Sequence, residues 1–183
     1  MARSLVDYLQ NVPDFRSDSG KRYRLDHLLI MIIFGMMSGR YGYRELGTFV
    51  KANRLELVKL LGLKRNAVPS HVTIRTVLKG MDFSALSESF SQWASEHLAI
   101  APGDLFSIDG KALGSTVSDY NSAKQNFLCF LSLFSQRQGA VLGLRRYHNG
   151  HTSEIPTLQQ MIKALDLTDV TFSVDALHCQ KKQ

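Results

Sequence analysis

The chain has 183 residues, 44% apolar and 21% charged, which excludes collagen-like, low-complexity and disordered chains and leaves one ordinary domain or two small ones. Lys and Arg number 22 against 16 Asp and Glu, a net charge of +6 that points to an anionic partner, nucleic acid first. Cys129 and Cys179 are too few and too far apart for a disulfide framework or a zinc ligand set, so a reducing compartment is expected.

Residues 1 to about 100 read as helices. Ser4 to Gln10 is a short amphipathic helix stopped by Pro13. Leu25 to Ser38 is a helix whose run from Leu28 to Met37 is apolar on every side. Ten residues fall short of the roughly 20 that a bilayer span needs, so this run is expected to be a fully buried core helix. Asp7, Asp14, Asp18 and Asp26 precede it and no small-residue cleavage pattern follows, unlike a signal peptide. The expected location is the cytoplasm, without membrane contact. Tyr43 to Asn53 and Leu55 to Leu61 follow as helices. Ser70 caps the next, whose apolar face is Val72, Ile74, Val77 and Leu78. Phe83 to Leu98 carries Leu86, Phe90, Trp93, Ala94 and Leu98 at helical spacing.

Pro102-Gly103 marks a break, and residues 104 to 183 change texture. Leu105 to Asp109 reads as a short strand and Phe127 to Phe134 as a long one. Ala140 to Tyr147 returns after a hairpin turn. Thr152 or Ser153 caps a helix with Leu158, Met161, Ile162 and Leu165 on one face. Val170 to Val174 is the fourth strand. The order β-β-β-α-β predicts an antiparallel meander followed by a helical crossover that brings the fourth strand in parallel, an α+β chain. The aromatic strand is apolar on both faces, so an open edge and bare face are expected to drive self-association.

Asp109 and Asp175 each end an apolar strand, which puts a carboxylate at the carboxyl edge of the sheet. On neighbouring strands they can share a hard cation such as Mg²⁺, whose pairs serve in-line attack on phosphodiesters. Asp after a strand is also an ordinary helix cap, and Asp-Gly an ordinary turn pair. Glu154 opens the crossover helix, either as a carboxylate toward the same cluster or as a first-turn residue satisfying exposed amides. His178 stands where it can orient water or touch phosphate, or simply be exposed. His148 and His151 flank a loop turn. Ser115, Ser118 and Ser122 lie in an expected polar loop with no base assigned to them. Basic groups fall at Lys21, Arg22 and Arg24, at Lys64 and Arg65 with Arg75 and Lys79 nearby, and at Arg145 and Arg146; each can neutralise phosphate or be a solvated face. The helix after Ser70 has the place of a helix-turn-helix recognition helix.

The stretch Phe106 to Leu113, the aromatic strand, His151 to Pro156 and Ser173 to Gln180 together resemble the DDE transposases of bacterial insertion sequences, in the group of the H-repeat-associated proteins. Val12 to Arg16 and Pro69 to Arg75 resemble that group's amino-terminal associated domain. The resemblance runs over essentially the whole chain. It implies a helical associated domain at 1–100 that contacts DNA and, at 104–183, the first part of an RNase H-like catalytic domain. It assigns Asp109 and Asp175 as the first and second acidic residues, holding Mg²⁺ or Mn²⁺ in a two-metal site. It implies cleavage of transposon ends and attack of the freed 3′-hydroxyl on target DNA. The family's third acidic residue, a Glu from a helix further on, has no counterpart here. A truncated, inactive transposase is therefore expected. A non-catalytic DNA-binding or regulatory derivative and a decayed gene product stand beside it.

Overall fold

The computed structural model describes residues 3–118, 126–149 and 153–174. The chain divides into two compact units, Ser4–Ser89 and Phe90 onward, the latter joined by Arg3. The elements are α1 (Leu5–Leu9), α2 (Leu25–Met37), α3 (Tyr43–Ala52), α4 (Arg54–Leu60), α5 (His71–Gly80), α6 (Phe83–His97), β1 (Leu105–Ser118), β2 (Asn126–Ser135), β3 (Ala140–His148), α7 (Glu154–Leu165) and β4 (Thr171–Ser173). Helix α6 contributes Leu86 to the core of the first unit and Phe90, Trp93 and Ala94 to that of the second. No described helix is long and apolar enough to cross a membrane.

The first unit is built around α2. A helix apolar on all sides must be covered on all sides, and Leu28, Met31 and Ile32 are buried beside Leu46 and Val50 of α3 and Ile74 and Val77 of α5. The burial does not reach the end of the helix. Ile33 is half-buried, Phe34 and Met36 are partly exposed and Met37 is 80% exposed, so the expectation of a wholly buried run holds only from Leu28 to Ile32. Two helix starts are capped by side chains, that of α5 by Ser70 as the sequence predicts. Ser4 and Asp7 form a capping box on α1, and the Ser70 hydroxyl accepts from the Thr73 amide of α5.

Glycine fixes how closely α3 and α5 pack. A methyl group at Gly47 would stand 2.7 Å from Cβ and 3.0 Å from Cα of His71, the first residue of α5. The space there is backbone, which cannot swing aside.

The second unit is a four-stranded sheet in the order β3-β2-β1-β4. β1–β2 and β2–β3 pair antiparallel, and β4 lies parallel to β1, as the predicted meander and crossover require. One face carries Phe106, Ile108, Leu131, Leu133 and Leu142, buried against Ala94 of α6 and Leu158 and Met161 of α7. On the other, Phe130 and Phe134 are half-buried.

β1 is far longer than the predicted Leu105–Asp109. It continues through Gly110 to Ser118, pairing Asp109 with Ser132, Lys111 with Phe130 and Leu113 with Leu128. The Asp-Gly pair makes no turn, because β2 extends alongside and offers each backbone group of β1 a ladder partner. Ser115 and Ser118 therefore lie in a strand and not in a polar loop. Past Leu113 the register shifts, and Thr116 fills the irregularity by donating to the Leu113 carbonyl at 2.7 Å and accepting from the Leu128 amide at 2.9 Å.

Asp104 ties the start of β1 to the β2–β3 turn. Its buried carboxylate accepts from Arg137 at 2.7 and 2.9 Å and from the Ala101 amide at 2.9 Å. Arg137 also donates to the Ala99 carbonyl. The Arg137 hydrogen bonds, with that of Ala101, hold the Asp104 carboxyl below the usual carboxylate range.

Two outcomes follow for stability. Replacing Gly47 by Ala adds helix propensity, yet the collision with His71 dominates, and urea denaturation should show a net loss of about 1–2 kcal/mol. Asp104 is depressed in the folded state, so its stabilisation is complete above the unfolded value of about 3.9 and disappears as pH falls through the lower folded value. Thermal unfolding below about pH 4 should therefore depend less steeply on pH in Asp104→Asn than in the parent chain.

Candidate functional site

Asp109 lies in mid-strand on β1, opposite Ser132, whose hydroxyl donates to the Asp109 carbonyl at 3.3 Å. Its side chain is exposed, and its carboxylate has no hydrogen-bond or ion-pair partner among the described residues. The parallel register pairs Leu105 with Thr171, Phe106 with Phe172 and Ser107 with Ser173. Asp109 follows Ser107 by two positions, and Asp175 follows Ser173 by two. Asp175, His151, Ser122, His178 and Cys179 lie outside the described residues. Among the described residues no three His, Cys, Asp or Glu come together as a metal-binding group.

Glu154 opens α7 and stands on the helix side of the sheet. A methyl group at Gly110 would lie 2.8 Å from its Cδ and 3.1 Å from its Oε2. Successive strand residues project to opposite faces. Phe106 and Ile108, in phase with Gly110, are buried toward α7, while Asp109 is exposed. Glu154 and Asp109 therefore stand on opposite sides of one strand. Beside Glu154 is Tyr147 of β3, paired in register with the buried Cys129. Burial, reinforced by Cys129 and Glu154, pushes the Tyr147 hydroxyl well above its ordinary pKa, so it remains protonated. The sequence holds one signal for this cluster, a glycine inside an apolar strand, which often marks a close approach. The turn chemistry of Asp-Gly masks it.

The basic residues divide unevenly. Ser4–Ser89 carries 13 Lys and Arg against 8 Asp and Glu, net +5, whereas residues 90–183 carry 8 of each. Near the amino terminus, Arg16 pairs with Asp14, Lys21 with Asp18 and Arg24 with Asp26. Residues 40–79 hold nine basic side chains and only Glu45 and Glu56, and no ion pair among the described residues involves any of them. Lys64 and Arg65 are exposed in the bend after α4, and Arg75 is exposed on α5. Arg145 and Arg146 do not form one patch. On β3 they pair with Leu131 and Phe130 of β2 and project to opposite faces, because the strand alternates. His148 ends β3 in an exposed position.

The approach of Glu154 to Gly110 is testable by its non-additivity. Gly110→Ala should destabilise the fold to the extent that displacing the flexible Glu154 carboxylate breaks its contact with Tyr147. In Gly110→Ala with Glu154→Ala, equilibrium unfolding should recover a coupling of about 0.5–3 kcal/mol relative to the sum of the single changes.

Residues 6–94 match the model of the DDE_Tnp_1-associated family. Over 179 residues, 98% of its length, the chain is 28% identical to the "Putative transposase YncI" of Escherichia coli O157:H7 and covers 45% of that protein. It is 27% identical to the protein of the same name in Escherichia coli K12, covering 71% of it. It is 24% identical to the "H repeat-associated putative transposase YbfD" of strain K12, covering 69%. The chain thus spans under half the length of the O157:H7 relative. The resemblance seen in the Asp-centred motifs and in Val12 to Arg16 extends along nearly the whole sequence. Residues 6–94 are thus similar to the DDE_Tnp_1-associated family, and the chain as a whole is transposase-like.

Proposed function

We propose that this chain acts on DNA as a transposase-like protein, with Asp109 and Asp175 as oxygen ligands for Mg²⁺ or Mn²⁺ on an RNase H-like sheet. The observation that carries the reading is the parallel β1–β4 register, in which both aspartates follow the Ser107–Ser173 pair by the same two residues. An exposed carboxylate with no partner among the described residues is also the donor type a hard cation takes. Bound there, such an ion would stabilise charge developing on a scissile phosphodiester. The chain's own contribution is Asp109 on β1 and, two residues past the end of β4 in sequence, Asp175. Glu154, on the other face of β1, supports the strand from behind and is not assigned as a ligand. The reading puts the protein in the cytoplasm. It includes self-association, because β3 ends the sheet and its Val141 is exposed.

A second reading, DNA binding without strand chemistry, is favoured by the charge distribution. The positive excess lies in the helical unit, away from the aspartates in sequence, and Lys64, Arg65 and Arg75 are exposed members of it. Neutralising phosphates by such residues releases counterions and needs no catalytic group.

The two readings separate cleanly. Calorimetric titration with Mn²⁺ should show affinity falling by about tenfold or more in Asp109→Asn and in Asp175→Asn. Unchanged Mn²⁺ affinity in both would remove the carboxylate site. Binding to a labelled duplex should survive Asp109→Ala. It should weaken when Lys64, Arg65 and Arg75 become Ala together, with the slope of log affinity against log salt reduced by roughly 0.9 for each phosphate no longer neutralised.

A further inference from the structure

We infer that Tyr43 is the scaffold of a two-arginine clamp for the backbone of double-stranded DNA, with Arg44 and Arg75 as its prongs; this rests on the DNA-binding reading above. Tyr43 opens α3, Arg44 follows it, and Arg75 lies one turn into α5. The guanidinium carbons of both arginines lie 5.9 Å from the centroid of the Tyr43 ring. The His71 ring stacks on the same tyrosine, with centroids 6.3 Å apart and planes 22° from parallel. The two helices that supply these groups are held at fixed separation where His71 meets Gly47.

Three properties fit this group to phosphate. Both arginines are exposed, and neither has a carboxylate partner among the described residues. Attraction to the ring quadrupole restrains two long side chains before any ligand arrives, which lowers the ordering cost of binding. Both guanidiniums are planar forks that match phosphate oxygens, and their distance from one shared point limits their separation to one short stretch of backbone. The group sits within the segment 40–79, where nine cationic residues face two acidic ones.

The occupancy of the ring selects between nucleic acid forms. Proteins that bind single strands without sequence preference offer free aromatic faces for unpaired bases. Tyr43 is half-buried against the core and is flanked by His71, Arg44 and Arg75. An unpaired base would have to compete with these three groups for the ring, whereas duplex phosphates need only the guanidiniums. Tyr43 is therefore a positioning residue, and Arg44 and Arg75 are the binding ones.

The test is fluorescence anisotropy of the whole chain with a labelled duplex and its single strand, across a salt series. The expected result is preference for the duplex. Arg44→Ala with Arg75→Ala should lower the salt slope by roughly 2, since each phosphate left unneutralised removes about 0.9. Tyr43→Phe keeps the ring and should bind like the parent. Tyr43→Leu keeps apolar bulk but not the quadrupole and should weaken binding by about fivefold with no charge changed. Circular dichroism and urea midpoints establish that the variants are folded. Should Tyr43→Leu not fold, the double arginine variant, altered only at exposed positions, decides. If Tyr43→Leu and the double arginine variant bind like the parent while Lys64→Ala with Arg65→Ala does not, the clamp is wrong and the DNA-binding reading stands. Equal loss in Tyr43→Phe and Tyr43→Leu overturns the scaffold role, and preference for the single strand overturns the duplex assignment. A parent chain that binds neither DNA overturns both.

Discussion

β1 is hydrogen-bonded along both edges, to β2 over most of its length and to β4 at its start. A strand held on both sides cannot rotate about its axis, so the alternation of its side chains becomes a fixed assignment to two faces. Everything at the candidate site follows from that. Phe106 and Ile108 are committed to the helix side, which draws α7 onto the sheet. Gly110 falls in the same phase, and its missing side chain is the space that the Glu154 carboxylate takes. Asp109, one residue earlier, is turned to the open face. A slip of one residue would bury Asp109 and expose Ile108, a double penalty that pins the register.

The same logic governs the helical unit, with glycine again at the point of closest approach. α2 supplies apolar surface in all directions, and α3 and α5 close over it. Gly47 sets how near α5 comes to α3 and thereby the separation between Tyr43 and Arg75. Small residues here determine the placement of large charged ones.

Much of this was legible in the sequence because its determinants are local. Helical periodicity located the six helices of the first half. Ser70 marked a helix start, and the β-β-β-α-β order pointed to the meander and to a helical crossover long enough to bring the fourth strand in parallel. What escaped was non-local. Asp109-Gly110 has the chemistry of a turn, and only the presence of β2 alongside keeps it extended. Arg145 and Arg146 look like a cluster as neighbours in sequence, but a strand separates neighbours. Conversely Arg44 and Arg75 are far apart in sequence and meet at one ring through the packing of α3 on α5. The approach of Glu154 to Gly110 likewise belongs to the crossover and leaves no local trace except the glycine.

The uneven division of charge sets the molecule's behaviour at a distance. With Arg3 included, the sheet unit carries nine basic against eight acidic groups and projects little net field, whereas a unit at +5 attracts polyanions beyond contact range, out to a Debye length of about 8 Å at physiological ionic strength. Approach to any polyanion is thus led by the helical unit, and the sheet arrives carried by it. Its open-face carboxylate would by itself repel phosphate. Ionic strength therefore tunes the first encounter chiefly through the helical half of the chain.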